Sequence, residues 1–260
     1  MRVNLGIGLA CVVAFTACGG SDEQSSGPPQ SPAGLWGFGA TDPNLPVAII
    51  NSAGQAIFYT TDGEIFAGTA QVSGSDLKIA VEGYANWGST FSDGSSHGTG
   101  ELVGTVTTGG SISTSLTFTT DGGTAITADW TLPYYSFYEK SALADVSVLA
   151  GFSVVGGPAT TLFIDPNGVM SSQTALDGCV LSGAVSTDDA EHNVYEVSYS
   201  YADCSGPSQG LNGVQFTGLA FNSTNDVPGN LGPLKLMMVV TGASATARYG
   251  IVSRLIVAGF

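Results

Sequence analysis

Positive charge is nearly missing from this chain. Six Lys and Arg stand against 21 Asp and Glu among 260 residues, a net charge of −15 at pH 7. A surface so poor in cations cannot neutralise a phosphate backbone, which excludes nucleic-acid binding. Charge of either sign is scarce: charged residues make up 10% of the chain, against ~25% in ordinary globular domains. The Glu, Lys and Arg that favour long helices are therefore lacking, and Gly, Ser and Thr stand in their place. Highly charged disorder is excluded too, because 43% of residues are hydrophobic and a core can form. There are only two His and four Cys, and no apolar run of the ~20 residues that a membrane-spanning helix needs. What abounds is glycine, 37 residues, about twice the usual ~7% share. This is the composition of an all-β protein.

Residues 1–18 read MRVNLGIGLACVVAFTAC. Arg2 supplies a basic start, and residues 5–15 form an apolar stretch of signal-peptide length. Phe15-Thr16-Ala17-Cys18 then resembles a bacterial lipobox, with Phe15 where Leu usually stands. The resemblance implies a lipoprotein signal peptide over residues 1–17, with Cys18 carrying lipid, palmitate included, as the first mature residue. The alternative is an ordinary secretory peptide cut near Ala17 or beyond, with Cys18 a bystander. Residues 18–33 continue as a Gly/Ser/Pro-rich flexible tether. Gly19, not Asp, follows the Cys, which in Gram-negative lipoproteins implies sorting to the outer membrane. The membrane partner would then be met through the lipid alone. Cleavage removes Arg2 and no acid, leaving five cations against 21 acids, a net of −16.

With Cys11 in the signal and Cys18 lipidated, Cys179 and Cys204 remain. An even pair in an exported chain points to a disulfide. The polar stretch at residues 187–193 lies midway between them, flanked by alternating segments at 180–185 and 194–199. That is a β-hairpin, and folding it antiparallel sets Cys179 opposite Cys204. Closing a ~25-residue loop is worth roughly 3.5 kcal/mol on the chain-entropy model. A zinc site is the rival, but two Cys without nearby partners cannot fill a tetrahedral shell.

The body carries a weak internal repeat. Gly34-Leu35-Trp36-Gly37 opens one half and Gly151-Phe152-Ser153-Val154 the other. An apolar strand follows in each, ending in a turn glycine, Gly54 or Gly168. A mid-strand glycine comes next, Gly68 at 14 residues or Gly183 at 15. Another lies 36 or 35 residues on, Gly104 or Gly218. Such glycines mark tight bends. Each half holds about eight short strands joined by hairpins, without βαβ spacing. The expected fold is two tandem small antiparallel up-and-down β-barrels, at residues 34–133 and 151–260. Residues 134–150 form a connector with a short helix from Ala142, capped by Ser141, that plugs the second barrel. The connector's Tyr134, Tyr135, Phe137 and Tyr138 read as packing between domains, with an aromatic ligand platform as the alternative.

The motifs Gly34-Leu35-Trp36-Gly37-Phe38, Gly178-Cys179, Gly183-Ala184-Val185, Tyr195-Glu196-Val197 and Cys204 together resemble a loosely defined group of proteobacterial lipoproteins of unknown role. A looser similarity is to the small barrels of surface lipoproteins such as transferrin-binding proteins, which bears on fold and not on function.

Motifs for chemistry are absent from the sequence. His97 lies in a Gly/Ser loop and His192 in the hairpin turn, and both read as solvated. No Gly-x-Ser-x-Gly elbow appears on a strand-to-helix turn, and no metalloprotease helix, P-loop or dinucleotide fingerprint occurs. Glu82, Glu101 and Asp129 lie on expected strands, but nothing selects a glycosidase pair. The acidic turns at Asp62, Asp121, Asp165 and Asp188 lack the twelve-residue calcium pattern and read as turn chemistry. The sequon at Asn222 carries no weight in a bacterial chain. Phe260 ends an alternating stretch that reads as the last strand of a soluble barrel, with an outer-membrane barrel as the alternative. No cofactor is called for. The expected role is a lipid-anchored, non-enzymatic binding or interaction module of the cell envelope, its protein or small-ligand partner unassigned. The alternatives are a carrier holding an apolar ligand in a barrel cavity, and an envelope hydrolase, disfavoured for want of a nucleophile and base.

Overall fold

A computed structural model describes residues 30–38, 40, 42, 44–143, 146, 151–153, 160–175, 178–187, 189–222, 234–244 and 248–256. The signal peptide, Cys18 and tether residues 19–29 lie outside the described residues, as do Ser223, Thr224 and Phe260.

The chain forms two antiparallel barrel-like sheets. The first comprises β1 (Gly34–Trp36), β2 (Val47–Ile50), β3 (Gln55–Tyr59), β4 (Ile65–Ser73), β5 (Asp76–Tyr84), β6 (His97–Thr107), β7 (Ser111–Thr120) and β8 (Ala125–Pro133), paired in chain order. The second comprises β9 (Gly151–Ser153), β10 (Thr160–Ile164), β11 (Val169–Ala175), β12 (Val180–Thr187), β13 (Tyr195–Ala202), β14 (Gln215–Asn222), β15 (Leu234–Ala243) and β16 (Arg248–Ile256). It closes on itself because β9 pairs with both β10 and β16. The first sheet's ends meet more narrowly, at a Trp36–Tyr134 bridge. There the Gly37 amide donates to the Pro133 carbonyl at 2.8 Å and the Tyr135 amide to the Leu35 carbonyl at 2.8 Å.

The repeat seen in the glycines is physical. Gly54 and Gly168 end the hairpin turns after β2 and β10 with φ of 84° and 83°, the left-handed region that glycine enters without penalty. In each turn a short polar side chain accepts a backbone amide: Asn51 Oδ1 from Gln55, and Asp165 Oδ1 from Val169, both at 2.8 Å. The mid-strand glycines hold equivalent places too. A Cβ on Gly68 (β4) or Gly183 (β12) would stand 2.2 Å from a neighbouring strand's carbonyl oxygen. On Gly104 (β6) and Gly218 (β14) the distances are 1.9 and 2.0 Å. Strands approach this closely only where the sheet bends hard, and small barrels need such bends.

Alternation fills both interiors. Along β5, Leu77, Ile79 and Val81 point inward, while Asp76, Lys78, Ala80 and Glu82 face out. The first interior is built on Trp36, Phe58, Phe66 and Phe118, with Trp130 tilted against Phe66. The second is built on Tyr195, Tyr199, Tyr201 and Phe216, with Met170 and Met238. Fully burying a large side chain contributes about 1.5–3 kcal/mol, so each interior is a core in its own right. The Cys179–Cys204 disulfide forms across the base of the β12–β13 hairpin, one residue before Val180 and two after Ala202, which pair.

The connector meets expectation in part. One 3-10 turn stands earlier than expected, at Ser136–Glu139, and residues 141–143 are not helical, but Val146, within the expected span, is in 3-10 conformation. The second barrel accepts the first two amides of the expected span, which a helix starting at Ala142 would leave without an internal partner. Ala142 donates to the Ala190 carbonyl at 3.1 Å, and Leu143 to the Tyr195 hydroxyl at 2.9 Å. Val146 is buried in the second interior; residues 144–145 and 147–150 lie outside the described residues.

Candidate functional site

Several strands break the inward–outward alternation. In β2 and β3, Ala48 to Ile50 and Ala56 to Phe58 are buried without a gap, and in β14 burial is continuous from Gly218 to Asn222. A strand buried on both faces has something packed on its outside. Here each barrel covers the other. Leu35, Ile49, Ile57, Ile65 and Tyr84 from the first sheet meet Leu219, Phe221, Met237, Val239 and Val252 from the second in one apolar seam. The connector aromatics complete it. Phe137 and Tyr138 are buried there, Tyr135 stacks on Phe137 at 5.5 Å, and Phe38 meets Phe221 edge-on at 4.6 Å. The connector cluster is therefore packing between the barrels.

Beyond the seam the outward positions change character on both walls. Along β4, Ile65 gives way to Ala67, Thr69 and Gln71; along β14, Phe221 and Leu219 give way to Thr217; along β15, Val239 gives way to Thr241. The walls diverge there and leave a groove of about 560 Å³. It continues past Gln55 and Thr217 into a smaller recess of about 180 Å³ beside Ala184, Ser186 and Ser198. The groove thus has an apolar apex and walls of hydroxyl, amide and alanine side chains, with Lys78, Glu82 and, in the recess, Glu196 beside them.

One end of the groove is tied shut by a polar network that the sequence did not reveal. His97 opens β6, where register sets it beside Tyr84, and it is 3% exposed rather than solvated. Its strand reaches this far because the glycine positions 83 and 98 leave room for the Phe118 ring beneath. His97 Nδ1 lies 3.1 Å from both Asp121 oxygens, and its Nε2 lies 2.9 Å from Arg248 Nη1 of the second barrel. A guanidinium only donates, so Nε2 accepts and the Nδ1 hydrogen points to Asp121. Tyr84 donates to Glu82 Oε2 at 2.5 Å, and that oxygen is 4.0 Å from Arg248 Nη1. Burial first, and the Glu82 carboxylate second, push the Tyr84 phenol well above the ordinary tyrosine range. Beside this network the backbones themselves join. The Trp87 amide donates to the Gly250 carbonyl at 2.8 Å, and a Cβ at 250 would stand 2.5 Å from Ile65.

His192 makes a second tie across the connector. It stacks on Tyr138 at 4.3 Å and holds Asp189 Oδ2 at 2.6 Å through Nδ1. The Asp189 carboxyl is held below the usual carboxylate range, first by the Glu191 amide and then by His192. Acids in other turns act likewise. Asp93 accepts from Ser95 and Thr120, which also hold it low, and Asp165 accepts two amides of its own turn.

No family model, curated protein or solved structure matches this chain. What the site does must be read from its chemistry. Of the expected site residues, Cys179 and Cys204 are joined by the disulfide, far in function from the groove, and Cys18 lies outside the described residues. Glu82 lines the groove, whereas Glu101 pairs with Lys78 at 2.5 Å and Asp129 accepts from Ser115 at 2.5 Å on an outer face. These three carboxylates thus do not form a pair flanking one point. No described helix is long and apolar enough to cross a membrane.

Proposed function

We propose that this chain is a non-enzymatic binding module of the cell envelope, anchored to the outer membrane by lipid on Cys18, which uses the groove between its barrels. The observation that carries this reading is the change of outward residues from apolar seam to hydroxyl and amide walls on both barrels at once. Both histidines support it. Each ties one element to another, through Arg248 or through Tyr138 and Asp189, and is spent on structure. The filled interiors weigh against a carrier with a barrel cavity, because an apolar guest would have to displace rings such as Phe66 and Tyr199.

Metabolic labelling with radioactive palmitate tests the anchor. The wild-type chain takes up label and sediments with membranes, and Cys18→Ala loses both. Equal membrane partitioning of the variant would overturn the anchor.

A further inference from the structure

We propose that the inter-barrel groove binds a neutral oligosaccharide. This rests on the binding-module reading above and adds the class of ligand. The walls are formed by sheet faces and not by a strand edge: β4 is flanked by β3 and β5, and β14 by β13 and β15. A ligand lying there meets side chains and finds no free backbone ladder, so recognition by strand addition, the usual way an extended peptide is held, is not on offer. Two of the charged groups at the groove, Lys78 and Glu82, have a charged neighbour within the protein. Lys78 pairs with Glu101 at 2.5 Å. Glu82 takes the Tyr84 hydroxyl and faces Arg248. Glu196 accepts from Asn51 at 3.5 Å. An anionic ligand would have to draw Lys78 from Glu101 and would meet the Glu82 and Glu196 carboxylates.

The exposed polar side chains that remain, among them Thr69, Gln71, Thr217 and Ser198, are hydroxyls and an amide. Each can donate and accept, the property that matches a chain of sugar hydroxyls. Ala67, Ala80 and Ala184 keep the trough open and give apolar patches for the flat C–H faces of sugar rings. The volume of about 560 Å³ lies within the ~300–1,000 Å³ of small-molecule sites, and the recess beyond Gln55 extends it lengthwise.

The test titrates the full-length lipoprotein, held in a detergent without a sugar headgroup, by calorimetry. The probes are maltoheptaose, cellohexaose and N-acetylchitohexaose, with oligogalacturonate as an anionic control and a pool of neutral hexapeptides. At least one neutral oligosaccharide is expected to bind and oligogalacturonate is not. Thr217→Phe should weaken binding at least tenfold by filling the trough. Gln71→Ala, which leaves the strand faces intact, should weaken it several-fold. Oligosaccharide binding unchanged in both variants overturns the proposal. Peptide binding that Thr217→Phe removes, with no saccharide bound, overturns the ligand class and leaves the binding module standing. No binding by either class overturns both.

Discussion

The two barrels solve one problem in two ways. Both bend at matched glycines and begin with the same Asx-supported hairpin turn, yet they close differently. The second sheet runs round continuously and carries the disulfide across its β12–β13 hairpin. The first is drawn together at a Trp36–Tyr134 bridge, where the Trp36 ring packs edge-on to Tyr134 at 5.0 Å and its indole N–H donates to the Pro32 carbonyl at 3.0 Å. Pro133 ends β8 there, at the side a further strand would need. The lesson is that the bends are fixed by backbone clearance and are shared, whereas closure is local and can be made by a strand ladder or by an aromatic bridge.

The comparison breaks most severely at the shared bends. Gly104→Val and Gly218→Val should each cost on the order of 3–5 kcal/mol, since a branched side chain must push apart strands whose carbonyl oxygen lies 1.9 or 2.0 Å from the new Cβ. Urea denaturation should show both variants similarly impaired; one tolerated and one ruinous would mean that the glycines are not equivalent. Next comes the covalent staple. Replacing Cys179 and Cys204 by Ser should remove roughly 3.5 kcal/mol, and hydrogen exchange should rise in β12 and β13 well before β5 and β6. Uniform loosening would deny that the disulfide acts on its own hairpin.

A smaller effect, about 1–2 kcal/mol, is expected for His97→Ala, which leaves Asp121 and the half-exposed Arg248 without their shared partner. Arg248→Ala should cost less, and the double variant should fall short of the sum. The smallest effect is a pH dependence carried by buried tyrosines. Tyr201, in the second interior, is pushed up to about 12 by burial, and Tyr195 is raised by burial as well. Folding therefore favours the neutral phenols. Their contribution is whole below the unfolded value of ~10 and is lost as pH rises through the folded values. Ultraviolet titration should show the second barrel's tyrosines ionising late, together with unfolding; full ionisation near pH 10 in the folded state would contradict their burial.

Much of this fold was legible in the sequence because its determinants are local. Turn glycines, their spacing, and two cysteines equidistant from a polar turn each report on chain within reach of one hairpin. The seam was partly legible. The unbroken apolar runs at Val47-Ala48-Ile49-Ile50 and Met237-Met238-Val239-Val240 announce strands covered on both faces, but not what covers them. The polar network was not legible. His97 and Arg248 stand 151 residues apart, and a Gly/Ser-rich neighbourhood makes His97 look solvated until register places it against Tyr84. The connector was legible in part: Val146 is in 3-10 conformation and buried in the second interior within the expected span, whereas residues 141–143 at its start are not helical.

The central claim is that both barrels are filled and that binding belongs to the seam between them. Trp36 and Trp130 report on the first interior, and Trp87 packs against the second. Titrating the full-length Cys18→Ala protein with long-chain fatty acids and anilinonaphthalene sulfonate should leave tryptophan emission unchanged. A saturable change at one equivalent of an apolar ligand would show an interior open to guests and contradict the account.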